Sequence, residues 1–126
     1  ACAVAAVVLA LGTVVTGSGP HSGDANAPAR FGFDPRSVSW LHADTVMLFL
    51  GLALAVWLAA RLTGTSTAPA RAWVGVLAVT LLQGVVGYTQ YFTGLPSGVV
   101  LAHMLLACLL VVALTRGMVR LRTSTV

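Results

Sequence analysis

Residues 46–60 read VMLFLGLALAVWLAA, a run with no charged side chain and no alternation of apolar with polar positions. Such a run has few homes. A strand in a membrane barrel would alternate lumen-facing and lipid-facing residues. A water-facing helix would carry a polar stripe. A continuous apolar stretch instead suits a helix in lipid, where every backbone N–H and C=O must be satisfied within the segment. Composition carries this reading to the whole chain. Charged residues make up 8% of the 126, against about 25% in soluble domains, and mean hydropathy is +0.95. The sequence therefore predicts an all-α membrane protein, a bundle of four transmembrane helices over residues 1–17, 38–62, 72–92 and 99–119.

Between these runs lie three polar connections. Residues 18–37 form a long loop rich in Gly, Pro, Ser and Asp. Residues 63–70 form a short turn, and residues 93–98 a tight hairpin. Ser37 or Ser39 suits the N-cap of the second helix, and Ser97 that of the fourth. The chain begins inside an apolar run with no basic segment before it, which reads as one part of a larger protein and not as a complete signal peptide.

All seven cationic residues are arginine and all three acids are aspartate. The pI of 10.1 does not indicate nucleic acid, because these arginines flank apolar runs and do not line one exposed face. Their distribution reports topology. The loops 18–37 and 93–98, with the first turn of the second helix, sum to −1. Arg61, Arg71, Arg116, Arg120 and Arg122 sum to +5 on the other side. The arginine-rich side is cytoplasmic by the positive-inside rule, so both termini are expected inside and loop 18–37 outside. Trp40, Tyr91 and Phe92 are expected at the outer interface, Trp57 and Trp73 at the inner one.

The two helix pairs share a pattern. LGTVVTGSGP precedes WLHADTVMLFLGLA, and QGVVGYTQYFTGLP precedes LAHMLLACLLVVA. Each has a Gly–Val–Val element near the end of an outgoing helix, a proline in the connection, and one histidine about a turn into the returning helix. This predicts two duplicated hairpins of parallel orientation, related by an axis along the membrane normal. His42 and His103 are then equivalent, about 5–9 Å into their helices at 1.5 Å per residue.

An ionisable residue inside a span marks function by default, although a histidine this near an interface can also simply reach water. Three functional readings compete. A bis-histidine haem fits facing helices of a bundle, with Thr45, Val46, Phe49 and Ala53 beside His42, and Val99, Val100, Leu106, Ala107 and Leu110 beside His103. A zinc or copper site is weaker, since a closed zinc site takes four ligands and two are found. A proton path would use a chain of Asp, Glu and His, and the spans offer only Asp44. Cys2 and Cys108 differ in depth by about 9 Å, too far for a disulfide. Gln83, Gly84, Gly87, Tyr88, Gln90 and Tyr91 give the third helix a polar, small-residue face that suits interhelical hydrogen bonds and close packing, or contact with a cofactor edge. Residues 17–24 (GSGPHSGD), with His21 and Arg30 or Arg36 nearby, can form either an anion-binding nest or a plain helix end and turn.

GTVVTGSGPHSGD, WLHAD and LQGVVGYTQYFTGLPSGVVLAHMLLA together resemble the C-terminal half of haem A synthase, and the resemblance covers nearly the whole chain. It implies an eight-helix protein of two similar four-helix halves. The C-terminal half binds haem b through two axial histidines, which fall on His42 and His103. The N-terminal half oxidises a methyl group of haem O to the formyl group of haem A for cytochrome oxidase. This chain lacks the N-terminal half, so no catalytic residue is assigned, and its partners would be haem O through that half, the bilayer, and a second copy or a separate four-helix half. Loop 18–37 lacks the cysteine pair that some members carry. The alternatives are a standalone electron-transfer cytochrome of the b type and a cofactor-free structural or transport bundle.

Overall fold

The computed structural model describes residues 1–21, 30–64 and 66–123. Four helices make up its regular structure: α1 (Cys2–Ser18), α2 (Pro35–Thr63), α3 (Ala68–Phe92) and α4 (Ser97–Thr123). Among the described residues there is no strand, as the unbroken apolar runs require. Helices α2, α3 and α4 are each long and apolar enough to cross a membrane. With 17 residues, α1 reaches about 26 Å at 1.5 Å per residue, short of a hydrocarbon core of about 30 Å.

The exposed surface is that of a protein in lipid. Leu41, Met47, Leu48, Leu54 and Leu58 on α2 are exposed, as are Leu101, Met104, Leu105, Leu109 and Val112 on α4. Apolar surface on this scale is not left to water by a soluble monomer. Few residues are buried, with Phe49, Ala53, Trp73 and Val76 fully enclosed. Lipid tails are as apolar as leucine, so these interior contacts gain through close packing and not through exclusion of water.

The helices start earlier than apolar character suggests, because capping sets the boundary. Asp34 begins α2: its Oδ2 accepts from the Ser37 backbone N–H at 2.8 Å and from the Ser37 hydroxyl at 2.7 Å. The cap is thus Asp34, not Ser37 or Ser39; the Ser39 hydroxyl donates to the Pro35 carbonyl. Helix α3 absorbs the second half of the turn expected over 63–70. Thr67 is its N-cap and Pro69 lies in its first turn, where a missing N–H costs nothing. Ser97 is the first residue of α4 and not its cap, and the Pro96 carbonyl accepts from the Val99 and Val100 amides. Between α3 and α4 the chain reverses through Gly94 (φ 78°) and Leu95 (φ 61°). The Leu95 amide donates back to the Gln90 carbonyl at 2.8 Å, in the pattern of a Schellman end.

The chain forms two compact units, residues 1–49 and 50–126, divided in the middle of α2. In the first, the Gly17 carbonyl at the end of α1 accepts from the amides of Arg30 (2.7 Å) and Phe31 (3.0 Å). The Phe31 ring lies over Gly17, so close that a Cβ there would meet Cε2 at 2.5 Å. In the second, α3 and α4 pack closely as a pair. Trp73 sits on Gly117, with Nε1 3.2 Å from the place a Cβ would take. Trp73 is therefore buried within the α3–α4 pair. Trp57 keeps a half-buried position with the Arg61 guanidinium 5.8 Å from its ring centre, a cation–π contact. At the other end of α3, Phe92 meets the rings of Tyr88 and Tyr91, all three exposed.

The Asp34 cap has a definite pH dependence. Bonding from the Ser37 side chain and backbone holds the carboxyl below its ordinary value of 3.8. The cap is fully present above that value and is lost as pH falls through the depressed pKa. Amide protection at Ser37 and Val38, relative to the unstructured exchange rate at each pH, should be high near neutrality and fall in acid below 3.8; in Asp34→Ala it should be low throughout. Unchanged protection in the variant would show that the cap does not hold the start of α2.

Candidate functional site: two imidazoles, each on a glycine

Within residues 1–49 the His42 ring packs against α1 at Gly12. A Cβ at Gly12 would lie 3.4 Å from Cε1 and 3.9 Å from Nδ1 of His42, with no other atom of the ring within 4 Å. Within residues 50–126 the His103 ring packs against α3 at Gly87. A Cβ there would lie 3.2 Å from Cε1 and 3.7 Å from Nδ1. In both cases the Nδ1–Cε1 edge rests on the glycine and Nε2 is turned further from it. At Gly87 the approach is closer than most side-chain contacts allow, whereas at Gly12 it is an ordinary contact distance.

The surroundings repeat as well. Ala5 and Val8 are buried on α1, and Thr80 and Gln83, at the same spacing before Gly87, are buried on α3. Seven residues after each histidine comes a buried residue, Phe49 or Leu110. Thr45 and Val46 are half-buried after His42, as are Leu106 and Ala107 after His103. The register of the repeat therefore pairs Gly12 with Gly87. The similarity of GTVV to QGVV sets Gly12 opposite Gln83 instead, one turn away, and at the neighbouring Gly84 a Cβ would meet nothing within 4 Å.

The polar partners differ. Nδ1 of His42 is buried and has no well-formed hydrogen bond; the ring's polar contact is with the backbone of Val8, one turn before Gly12. One turn before Gly87 stands Gln83. With its amide turned so that each atom meets its complement, Nε2 donates to Nδ1 of His103 (2.9 Å) and to the His103 carbonyl (3.1 Å), while Oε1 accepts from the Ala107 amide (2.9 Å). Gln83 thus binds both the ring and the backbone of α4. That is interhelical bonding, one of the two roles expected of it, and its contact with His103 is specific. Gln90 lies seven residues on, with Oε1 buried and without a hydrogen bond.

The remaining candidates take lesser places. His21 is half-buried in the turn after α1. Of the expected anion nest, Ser22, Gly23 and Asp24 lie outside the described residues. Arg30 and Arg36 are exposed. Cys2 and Cys108 are free and exposed. His42 and His103 belong to different units, and each site stands on the contacts of its own unit.

No family model, curated protein or solved structure matches this chain.

The two glycines tolerate substitution differently. A methyl at Gly12 falls at ordinary contact distance, so Gly12→Ala should be neutral or stabilising by up to about 1 kcal/mol through its gain in helix propensity. A methyl at Gly87 presses on Cε1 of His103, whose ring is also held by Gln83. Gly87→Ala should be the less stable variant, and Gly87→Val should lose about 1–3 kcal/mol through overpacking. Thermal unfolding in detergent checks this; equal stability of Gly12→Ala and Gly87→Ala would show that the His103 ring is not wedged as described.

Proposed function

We propose that this chain is the haem b-binding half of a haem A synthase, with His42 and His103 as axial ligands of the haem iron. The observation that carries this reading is the repeated seat: in each unit an imidazole presents its Nδ1–Cε1 edge to a glycine and turns Nε2 further from that helix. Haem-ligating histidines bind through one ring nitrogen while the other is fixed by a neighbour. Here Gln83 bonds Nδ1 of His103, and the Val8 backbone is the polar neighbour of the His42 ring. The buried, unsatisfied Nδ1 of His42 is a polar atom that lipid alone would penalise, and ligation gives the ring a role that offsets this cost. The buried and half-buried residues that follow each histidine are mostly apolar, which suits a macrocycle.

When bound, the haem would supply one-electron chemistry at iron. The chain's residues would hold it: His42 and His103 by coordination, Gly12 and Gly87 by letting the rings lie against their helices. The repeated seats also support descent of the two hairpins from one duplicated unit. The function implied is support of haem O oxidation to haem A for cytochrome oxidase assembly, with the oxidation itself performed by a second four-helix half. The reading places both termini on the cytoplasmic side of the cell membrane, on the strength of the arginine-rich ends, and loop 18–37 outside.

The test is a reduced-minus-oxidised visible spectrum of the detergent-purified chain and its variants. Sharp low-spin b-type bands are expected in the wild type. His42→Ala and His103→Ala should each lose most of the haem, because a low-spin centre needs both ligands, while His21→Ala should retain it. Wild-type haem content in both single variants, or complete loss in His21→Ala, would contradict the assignment.

A further inference from the structure

The two imidazole seats are alike in shape and unlike in hydrogen bonding, and the difference has a chemical consequence. At His42 the polar neighbour is the Val8 backbone, and Nδ1 is buried without a hydrogen bond. A glutamine amide can either donate or accept, and its orientation follows from its other neighbours. At Gln83 those neighbours have fixed polarity. The His103 carbonyl is only an acceptor and the Ala107 amide only a donor, at 3.1 and 2.9 Å. They turn the amide nitrogen of Gln83 toward Nδ1 of His103, at 2.9 Å. Nδ1 must then accept, which leaves the ring's single proton on Nε2.

We infer that Gln83 is a positioning residue that sets the tautomer of His103, holding its proton on Nε2, so that coordination through this nitrogen requires the Gln83 amide to turn over or withdraw. The inference deepens the haem reading and rests on it only for the coordination step. The tautomer itself follows from the geometry of α3 and α4. In that step the ring keeps one proton, moved from Nε2 to Nδ1, and Nε2 gains the lone pair that binds iron. Gln83 Oε1 must then face Nδ1–H, and the amide gives up its complementary bonds to the His103 carbonyl and the Ala107 amide. His42 has no such requirement. The two proposed ligands are therefore inequivalent: the ring proton of His103 is set by an amide, whereas Nδ1 of His42 is left without a hydrogen bond.

The experiment is nitrogen NMR of the full chain labelled at histidine, prepared without haem, in wild type, Gln83→Leu and Gln83→Glu. In the wild type, His103 should show an unprotonated Nδ1 and a protonated Nε2. Gln83→Leu removes the donor and should let both tautomers appear. Gln83→Glu supplies an acceptor and should move the proton to Nδ1. A wild-type His103 already protonated at Nδ1, or a tautomer unchanged in Gln83→Leu, would overturn the inference, and the wild-type spectrum decides this even if a variant fails to fold. Haem titration of the same samples separates the two readings. If haem binds, Gln83→Glu should bind it up to about tenfold more tightly, the equivalent of one hydrogen bond no longer broken, and at a more negative potential because Nδ1–H then donates to a carboxylate. Equal affinity and potential in wild type and Gln83→Glu would overturn the gating step. The expected tautomers with no haem bound to any sample would remove the haem reading and leave the Gln83 assignment standing.

Discussion

Close approach of an imidazole to a helix backbone is the contact on which both units depend. In lipid, burial of apolar side chains supplies little drive for helix association, and packing with satisfied polar groups must supply it instead. A histidine facing another helix brings two polar nitrogens that the membrane interior penalises unless they are bonded or coordinated. Glycine resolves the steric half of that problem at positions 12 and 87, where Cε1 lies 3.4 and 3.2 Å from the missing Cβ. The Gln83 amide addresses the polar half at His103, whereas Nδ1 of His42 stays without a hydrogen bond. Gly117 plays the same steric role for Trp73, so a large flat ring on a glycine is the recurrent packing device of this chain.

Much of the fold is legible in the sequence because lipid leaves few options. Unbroken apolar runs give four helices, and the expected boundaries at Gly17, Leu62 and Phe92 fall within a residue of the helix ends. The starts are missed by a few residues, for local reasons. Asp34 caps through Ser37, and Pro69 fits the first turn of α3, so polar and proline-containing residues that look like loop belong to helices. Trp73 shows the limit of composition: its place near a charged end says nothing of burial, and only the facing residue Gly117 shows that the ring is enclosed.

For the candidate site, the two histidines and the apolar faces that follow them are visible from spacing alone. The glycine seats are only half visible. Gly12 stands in the repeat, but its partner is Gly87 and not Gln83, because sequence similarity follows the valines whereas geometry follows the ring. The inequivalence of the two seats was not legible. Nothing in the sequence of α1 shows that the Val8 backbone faces an imidazole, and Gln83 reads as helix-packing polarity until its distance to Nδ1 of His103 is known.

The central claim, that His42 and His103 coordinate one haem iron, is tested most directly by electron paramagnetic resonance of the oxidised chain with histidine labelled by nitrogen-15. Coordination by both residues predicts a low-spin ferric signal with hyperfine coupling from two classes of histidine nitrogen, one class lost on replacing either residue. A high-spin signal, or coupling from a single histidine nitrogen in the wild type, would contradict it.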